Sequence, residues 1–333
     1  MKKFSRGRSG IEFVSSQTLL IVDGEVLVES VCSGISAGTE LLVYRGDVPE
    51  EMELDASIET LAEQQSAWPV RYGYSAVGRV SQLGDGVPGD WQNRLVFAFN
   101  PHESHFCLPA ENLIQVPKGI SAEDAVFLPN METAVSFLMD IRPLIGETVV
   151  VLGLGVVGQL TLQLLSTFPL HKLIGVDGYA NRRNLALDSG ADAVFAPEDT
   201  DLLEAIGENG VDAVLEVSGN PQAIDLALNL CGYNGRILIG SWYGKKQATV
   251  NFGGHFHRSN IQLIASQVSN LHPSLSGRWT KARRLKVVWD RIQAHKPSQR
   301  LVTHRPNVTE APSIYAMLHQ NPAEALQVIF NYS

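Results

Sequence analysis

The residues Gly153-Leu154-Gly155-Val156-Val157-Gly158 follow the spacing G-x-G-x-x-G. The chemistry available at that spacing is the binding of a pyrophosphate. The first glycine permits a tight turn, the second has no side chain to hold a phosphate off the backbone, and the third lets a helix pack closely. A helix over 159–168 follows the turn, and its N-terminus offers free N–H groups and the positive end of its dipole to the same anion, with Val156 and Val157 in the turn that leads into it. Asp177 stands nineteen residues beyond Gly158, where an acid accepts hydrogen bonds from the hydroxyls of an adenosine ribose. A carboxylate there favours NAD over NADP, because it repels the 2′-phosphate. Arg182 and Arg183 follow closely and could reach toward such a phosphate, although both also suit the polar face of a helix.

These residues need particular elements to position them. Thr148–Leu152 is an apolar, β-branched run that reads as a strand buried on both faces. Leucines at 160, 162, 164 and 165 mark a packed helix, and Lys172–Val176 is a second strand that delivers Asp177. The alternation continues with a helix over 182–189, a strand over 193–195, a strand over 211–217, a helix over 221–230 and a strand over 235–240. Strands alternating with helices predict a parallel, doubly wound α/β sheet. Ser218 and Gly219 then end one strand and Ser241 another, on the side that faces a cofactor. Trp242 and Tyr243 are candidates to wall the nicotinamide pocket.

The first 120 residues read as β structure. Apolar runs at 11–14 and 18–22 precede Glu25–Val31, whose alternation marks a half-buried strand. Residues 34–40 read as a loop or short turn. Residues 47–67 are acidic and read as a solvated excursion. A glycine-punctuated turn and strand are expected over 70–80, strands near 94–99 and 113–116, a loop with His102 and His105 at 101–106, and a helix over 122–140. A helix over 281–294 and a strand near 301–303 lead the tail back to the first domain. The expected domains are 1–122, completed by 286–333, and 123–285.

Length and composition agree. The chain has 333 residues, enough for two domains at about 150 residues each. A net charge of −9 argues against a nucleic-acid surface. The basic start, Lys2, Lys3, Arg6 and Arg8, has no apolar stretch behind it, and no run is long enough to span a membrane, so the expectation is a cytoplasmic protein. Cys32, Cys107 and Cys231 are scattered and form neither a disulfide framework nor a C-x-x-C knuckle.

Several segments resemble the medium-chain dehydrogenase/reductase superfamily: Glu25–Val28, Gly34-Ile35-Ser36 through Tyr44-Arg45-Gly46, Gly73–Val80, Asp212–Gly219 and Gly235–Gly240. The resemblance implies a Rossmann domain beside a β-rich, GroES-like catalytic domain, hydride transfer to or from NAD, a small-molecule substrate and a homodimer. It also implies departures. Ser36 stands where the family has a zinc cysteine, with Ala37 inserted beside it. Tyr74 stands where it has a zinc histidine, and Ser75 replaces the neighbouring Glu. The four-cysteine zinc lobe is missing, and Glu132 alone matches a family zinc position. Tyr and Ser are poor zinc ligands, so the expectation is a zinc-free member with no bound metal. Within the superfamily, Gly34–Glu40 and Gly73–Gly78 look most like the bacteriochlorophyllide dehydrogenases.

Without a metal, some other group must polarise the carbonyl and move a proton. Tyr74 can donate a hydrogen bond to a substrate oxygen. Glu132 can relay a proton or orient Tyr74. Ser36, Thr39 and the loop residue His102 complete the candidate set, and His102 with His105 also has the spacing of a metal pair. The leading expectation is a zinc-independent NAD-dependent alcohol or carbonyl oxidoreductase. Two alternatives stand beside it: a reductase of activated C=C bonds or quinones, and a cofactor-binding protein without catalysis.

Overall fold

The computed structural model describes residues 2–5, 10–13, 19–49 and 70–332. The chain forms two compact units, Met1–Pro129 with Trp289–Ser333, and Asn130–Val288. In the first unit, β1 (Lys2–Ser5) and β2 (Gly10–Phe13) pair antiparallel. Residues 19–22, expected as a strand, have no regular structure: Leu20 and Val22 are exposed, and a turn at Asp23-Gly24 follows at once. Thr18 and residues 50–67 of the acidic stretch lie outside the described residues.

β3 (Glu25–Gly34) alternates as predicted, with Val26 and Val28 fully buried. Helix α1 (Ala37–Arg45) starts where a loop was expected. Gly38 and Thr39, poor helix formers, disguise its start, but Leu41, Leu42 and Val43 bury one side and Gly46 ends it at φ +75°. Then come β4 (Ala76–Leu83), β5 (Leu95–Ala98), β6 (His105–Pro109), β7 (Ile114–Gln115) and α2 (Ala122–Ala125). His105 is therefore in a strand and not in the expected loop. Helix α3 (Leu128–Ile141) is separate from α2. Pro129 explains the break, since proline is tolerated in a first turn but cannot continue a helix.

The second unit continues with β8 (Thr148–Leu152), α4 (Val156–Leu165), β9 (Lys172–Val176), α5 (Ala180–Asp188), β10 (Ala193–Phe195), α6 (Asp201–Ile206), β11 (Val211–Glu216), α7 (Ala223–Leu230), β12 (Cys231–Ile239) and β13 (Gln262–Ala265). These strands make one parallel sheet in the order β10-β9-β8-β11-β12-β13. Alternate residues of β8 face opposite cores: Val150 and Leu152 pack with Ile174 and Ile237, and Val149 and Val151 with Leu173 and Leu215. The strand order reverses between β8 and β11, the point where such sheets bind ligands beyond their carboxyl ends.

The chain returns through α8 (Lys281–His295), α9 (Ser298–Leu301), β14 (Val302–His304), α10 (Ala311–Gln320) and β15 (Gln327–Asn331). They complete a mixed sheet, β14-β15-β3-β4-β5-β7, with β6 also on β3. β15 pairs antiparallel with β3, Ile329 opposite Gly34 and Phe330 opposite Ser33. Two bonds hold α2 and its surroundings in this unit. Asp124 Oδ1 accepts the Ser298 N–H at 2.9 Å, and the Ser75 hydroxyl donates to the Val126 carbonyl at 2.7 Å.

Candidate functional site

The glycine turn forms as its spacing predicts. Gly153 has φ +97°, and a β-carbon there would lie 2.5 Å from Ser218 Cα. A β-carbon on Gly158 would lie 1.9 Å from the Gly153 carbonyl oxygen, so α4 rests directly on the turn. The Gly155 position has nothing within 4 Å and stays open. Gly155 is also the N-cap of α4, and no side chain caps the helix. The first-turn N–H groups of Val156 and Val157 are thus available to an anion, and the cradle fits a pyrophosphate.

Asp177 follows β9 and is 8 % exposed. Its Oδ2 accepts the Leu154 N–H at 2.7 Å and its Oδ1 the Tyr179 N–H at 2.8 Å. Each carboxylate oxygen retains a second acceptor site, so the residue ties the turn together and can still receive a ribose hydroxyl. Arg183 donates to the Asp177 carbonyl at 2.8 Å. Arg182 Nη1 lies 3.9 Å from Asp177 Oδ2, and its guanidinium covers the Tyr179 ring.

Ser218, Gly219 and Ser241 come together beyond β11 and β12. The Gly219 N–H donates to Ser241 Oγ at 2.9 Å. Ser218 donates both its N–H, at 2.8 Å, and its hydroxyl to Glu216 Oε1, while the Tyr243 hydroxyl donates to Glu216 Oε2. Glu216, fully buried, is a residue the sequence reading missed. A carboxylate that follows Ala213-Val214-Leu215 directly, inside the run 211–217, was the available sign.

In the first unit, Ser36, Thr39 and Tyr74 meet at the start of α1. The Ser36 hydroxyl does not cap the helix. It accepts instead from the Tyr74 hydroxyl, whose oxygen lies 3.5 Å from Thr39 Oγ1. All three residues are half-buried. Beneath them lies a network that joins residues distant in sequence. Glu40, fully buried, accepts the Ser36 N–H on Oε1 at 2.7 Å, and the Tyr315 hydroxyl on Oε2. His102 Nε2 lies 3.0 Å from the same Oε2, and its Nδ1 lies 2.7 Å from Ser33 Oγ. Ser33 in turn bonds the Tyr332 hydroxyl at 2.6 Å.

His102 lies in the loop between β5 and β6, as expected, but it is 3 % exposed with both ring nitrogens engaged, so the side chain is buried in the network with Glu40 and Ser33. Gly73 makes room for it: a β-carbon there would lie 2.7 Å from the imidazole. His105 is exposed and bonds Ser104. Glu132 belongs to the second unit, where its Oε1 accepts from buried Arg284 at 2.8 Å. Arg284 also donates to Ser136 Oγ at 3.0 Å. The structure thus engages the Glu132 carboxylate in an ion pair.

Serine and tyrosine hydroxyls are poor zinc ligands. Ser36 and Tyr74 present neutral hydroxyls bonded to each other. Among the described residues no group of three or more His, Cys, Asp or Glu side chains is arranged to hold a metal. The thiolate is the metal-binding form of cysteine. Burial, with Glu123 adding, lifts the Cys32 thiol to about 12. Burial likewise raises Cys107, with Glu25 adding.

A six-strand parallel sheet with a glycine turn, and a separate mixed β unit, make up the fold of the described residues. The family profile described as zinc-binding dehydrogenase matches residues 156–285. D-guloside 3-dehydrogenase of Escherichia coli strain K12 is 28 % identical over 225 residues, 66 % of this chain and 64 % of that enzyme. L-threonine 3-dehydrogenase of Pyrococcus furiosus is 27 % identical over 263 residues, 68 % of this chain and 72 % of that enzyme. The crystal structure of 2R,3R-butanediol dehydrogenase from Bacillus subtilis shares the fold, with a TM-score of 0.79 at 17 % identity over all of both chains. Over these lengths the chain is similar to zinc-binding dehydrogenases.

Proposed function

We propose that this protein is a zinc-independent, NAD-dependent oxidoreductase acting on an alcohol or carbonyl substrate. The observation that carries this reading is the bonded hydroxyl cluster of Tyr74, Ser36 and Thr39, in which Ser36 and Tyr74 occupy positions where the family resemblance puts metal ligands. Gly153, Gly155, Val156, Val157, Gly158 and Asp177 hold the pyrophosphate and adenosine ribose of the cofactor. Ser218, Gly219 and Ser241 frame its other half. NAD, when bound, accepts or supplies the hydride. In reduction the Tyr74 O–H turns from Ser36 to the substrate oxygen and gives it a proton as the hydride arrives, and water refills the phenol through Ser36; in oxidation the alcohol proton passes to the Tyr74 oxygen as the phenol's own proton leaves through Ser36 to water. Ser36 and Thr39 hold the phenol in place and pass the proton on.

The test is turnover of an alcohol, ketone, enone and quinone panel with NAD and NADH, before and after chelation, with elemental analysis of the protein. Turnover of alcohols or ketones should survive chelation. Tyr74→Phe should lower kcat by about a hundredfold or more, the scale of one lost acid–base group, with little change in cofactor affinity. One zinc per chain, removed together with activity, would overturn zinc independence. Turnover of enones or quinones alone would favour C=C reduction, and binding without turnover a non-catalytic role.

A further inference from the structure

Glu216 is a buried carboxylate that the mechanism above does not use. It closes β11, the strand beside β8 on the side opposite β9. Asp177 follows β9 and takes the adenosine ribose in the reading above, so the nicotinamide half of the cofactor falls on the Glu216 side of the switch point. The side chain reaches past the end of its strand, because its partners are the Ser218 N–H and hydroxyl and the Tyr243 hydroxyl. All of these are donors, and both carboxylate oxygens act as acceptors, the pattern of an ionised carboxylate. Burial and the hydrogen bond to Glu216 raise the Tyr243 phenol above its usual range, so it stays a donor.

No Lys, Arg or His forms an ion pair with Glu216 among the described residues. Lys246 is near in the fold, since its Nζ donates to the Gly219 carbonyl at 2.7 Å. It is exposed, however, and solvent screens its charge far more than that of a buried group. The carboxyl edge of the sheet therefore carries a fixed, weakly compensated negative charge beside the loops at 218–220 and 241–246.

We propose that Glu216 sets the redox preference of cofactor binding, by favouring the oxidised nicotinamide ring, which is cationic, over the reduced ring, which is neutral. The proposal rests on the reading of this unit as an NAD site. A charge in a poorly screened position discriminates between two ligands that differ by one charge, and the hydrogen bonds hold it in place without neutralising it. In the bound state this favours NAD over NADH, and so favours hydride leaving the cofactor for a carbonyl.

The test needs no substrate. Dissociation constants of NAD, NADH and ADP-ribose are measured by calorimetry for the wild-type chain and for Glu216→Gln, which keeps the shape and a carbonyl acceptor but removes the charge. The variant should weaken NAD by about three- to tenfold relative to ADP-ribose, the scale of one screened charge contact, and leave NADH unchanged relative to ADP-ribose. An unchanged ratio of NAD to NADH affinity would overturn the proposal, and so would equal loss of both, which would mark Glu216 as a brace alone. If the variant does not fold, the wild-type chain decides through benzamide adenine dinucleotide, whose ring is neutral and similar in shape. NAD should bind at least about threefold more tightly than this analogue, and equal affinity would overturn the proposal. Failure of the wild-type chain to bind ADP-ribose at all would instead refute the NAD site itself, and the proposal with it.

Discussion

Asp177 holds the glycine turn with both carboxylate oxygens. Its two oxygens fix the Leu154 and Tyr179 amides, and the remaining lone pairs face the ribose in our reading. Asp177→Ser should narrow the preference for NADH over NADPH, expected at roughly tenfold in the wild type. Intrinsic Trp fluorescence with both cofactors measures it, and an unchanged ratio would show that the acid points elsewhere. The cysteines give a second test at this scale. Burial is the main cause that lifts Cys231 to about 12, with Arg236 lowering it and Asp212 raising it, and Cys32 is lifted as far. An unfolded thiol ionises near 9.0, so the folded chain keeps protons that the unfolded chain loses between about 9 and 12. Their contribution to stability is whole below pH 9 and falls away as pH climbs through that window. Urea midpoints should therefore drop from pH 9 to pH 11, and less steeply in Cys32→Ala. At pH 8, alkylation of the native chain should label Cys107 first; early labelling of Cys32 or Cys231 would contradict their burial.

Helices α3 and α8 are joined by a charge pair rather than by apolar contact alone. Arg284, 2 % exposed at its side chain, meets Glu132 at 2.8 Å. Removing one partner strands the other, so Arg284→Ala should cost about 3 kcal/mol or more, whereas replacing both by leucine should recover most of the loss. Denaturant unfolding measures both, and a double variant no better than the single would count against the pair. The same residues show why some elements were readable in the sequence and others were not. The β8-turn-α4-β9 stretch is local: its glycines, leucines and terminal acid all lie within 30 residues, and each position has a distinct steric or electrostatic demand. The hydroxyl cluster was found through Ser36, Thr39 and Tyr74, but its foundation was not. Glu40 meets His102 across 62 positions and Tyr315 across 275, and Ser33 meets Tyr332 across 299. No periodicity links such residues. Glu132 likewise meets Arg284 across 152 positions.

Across the whole molecule, the six-strand sheet has an open side. β13 pairs with β12 and ends the sheet order among the described residues, so its outer N–H and C=O groups are a template for another strand. We propose a homodimer that pairs two copies of this edge; light scattering should report twice the chain mass of 36.3 kDa at micromolar concentration, and Leu263→Pro should yield the monomer. A monomeric wild type would refute it. No helix among the described residues is long and apolar enough to cross a membrane. The return of residues 289–332 to the first unit has a further consequence, for the order of events during synthesis. By the time the ribosome reaches Val288, every strand of the parallel sheet has been made. β3 by then has β4 and β6 beside it but not β15, and Glu40 and His102 are present without Tyr315. A nascent chain stalled between 289 and 326 would therefore carry a finished nucleotide unit tethered to a β unit with an unclosed seam. That unit, and the hydroxyl cluster above it, would mature only when the last strand arrives.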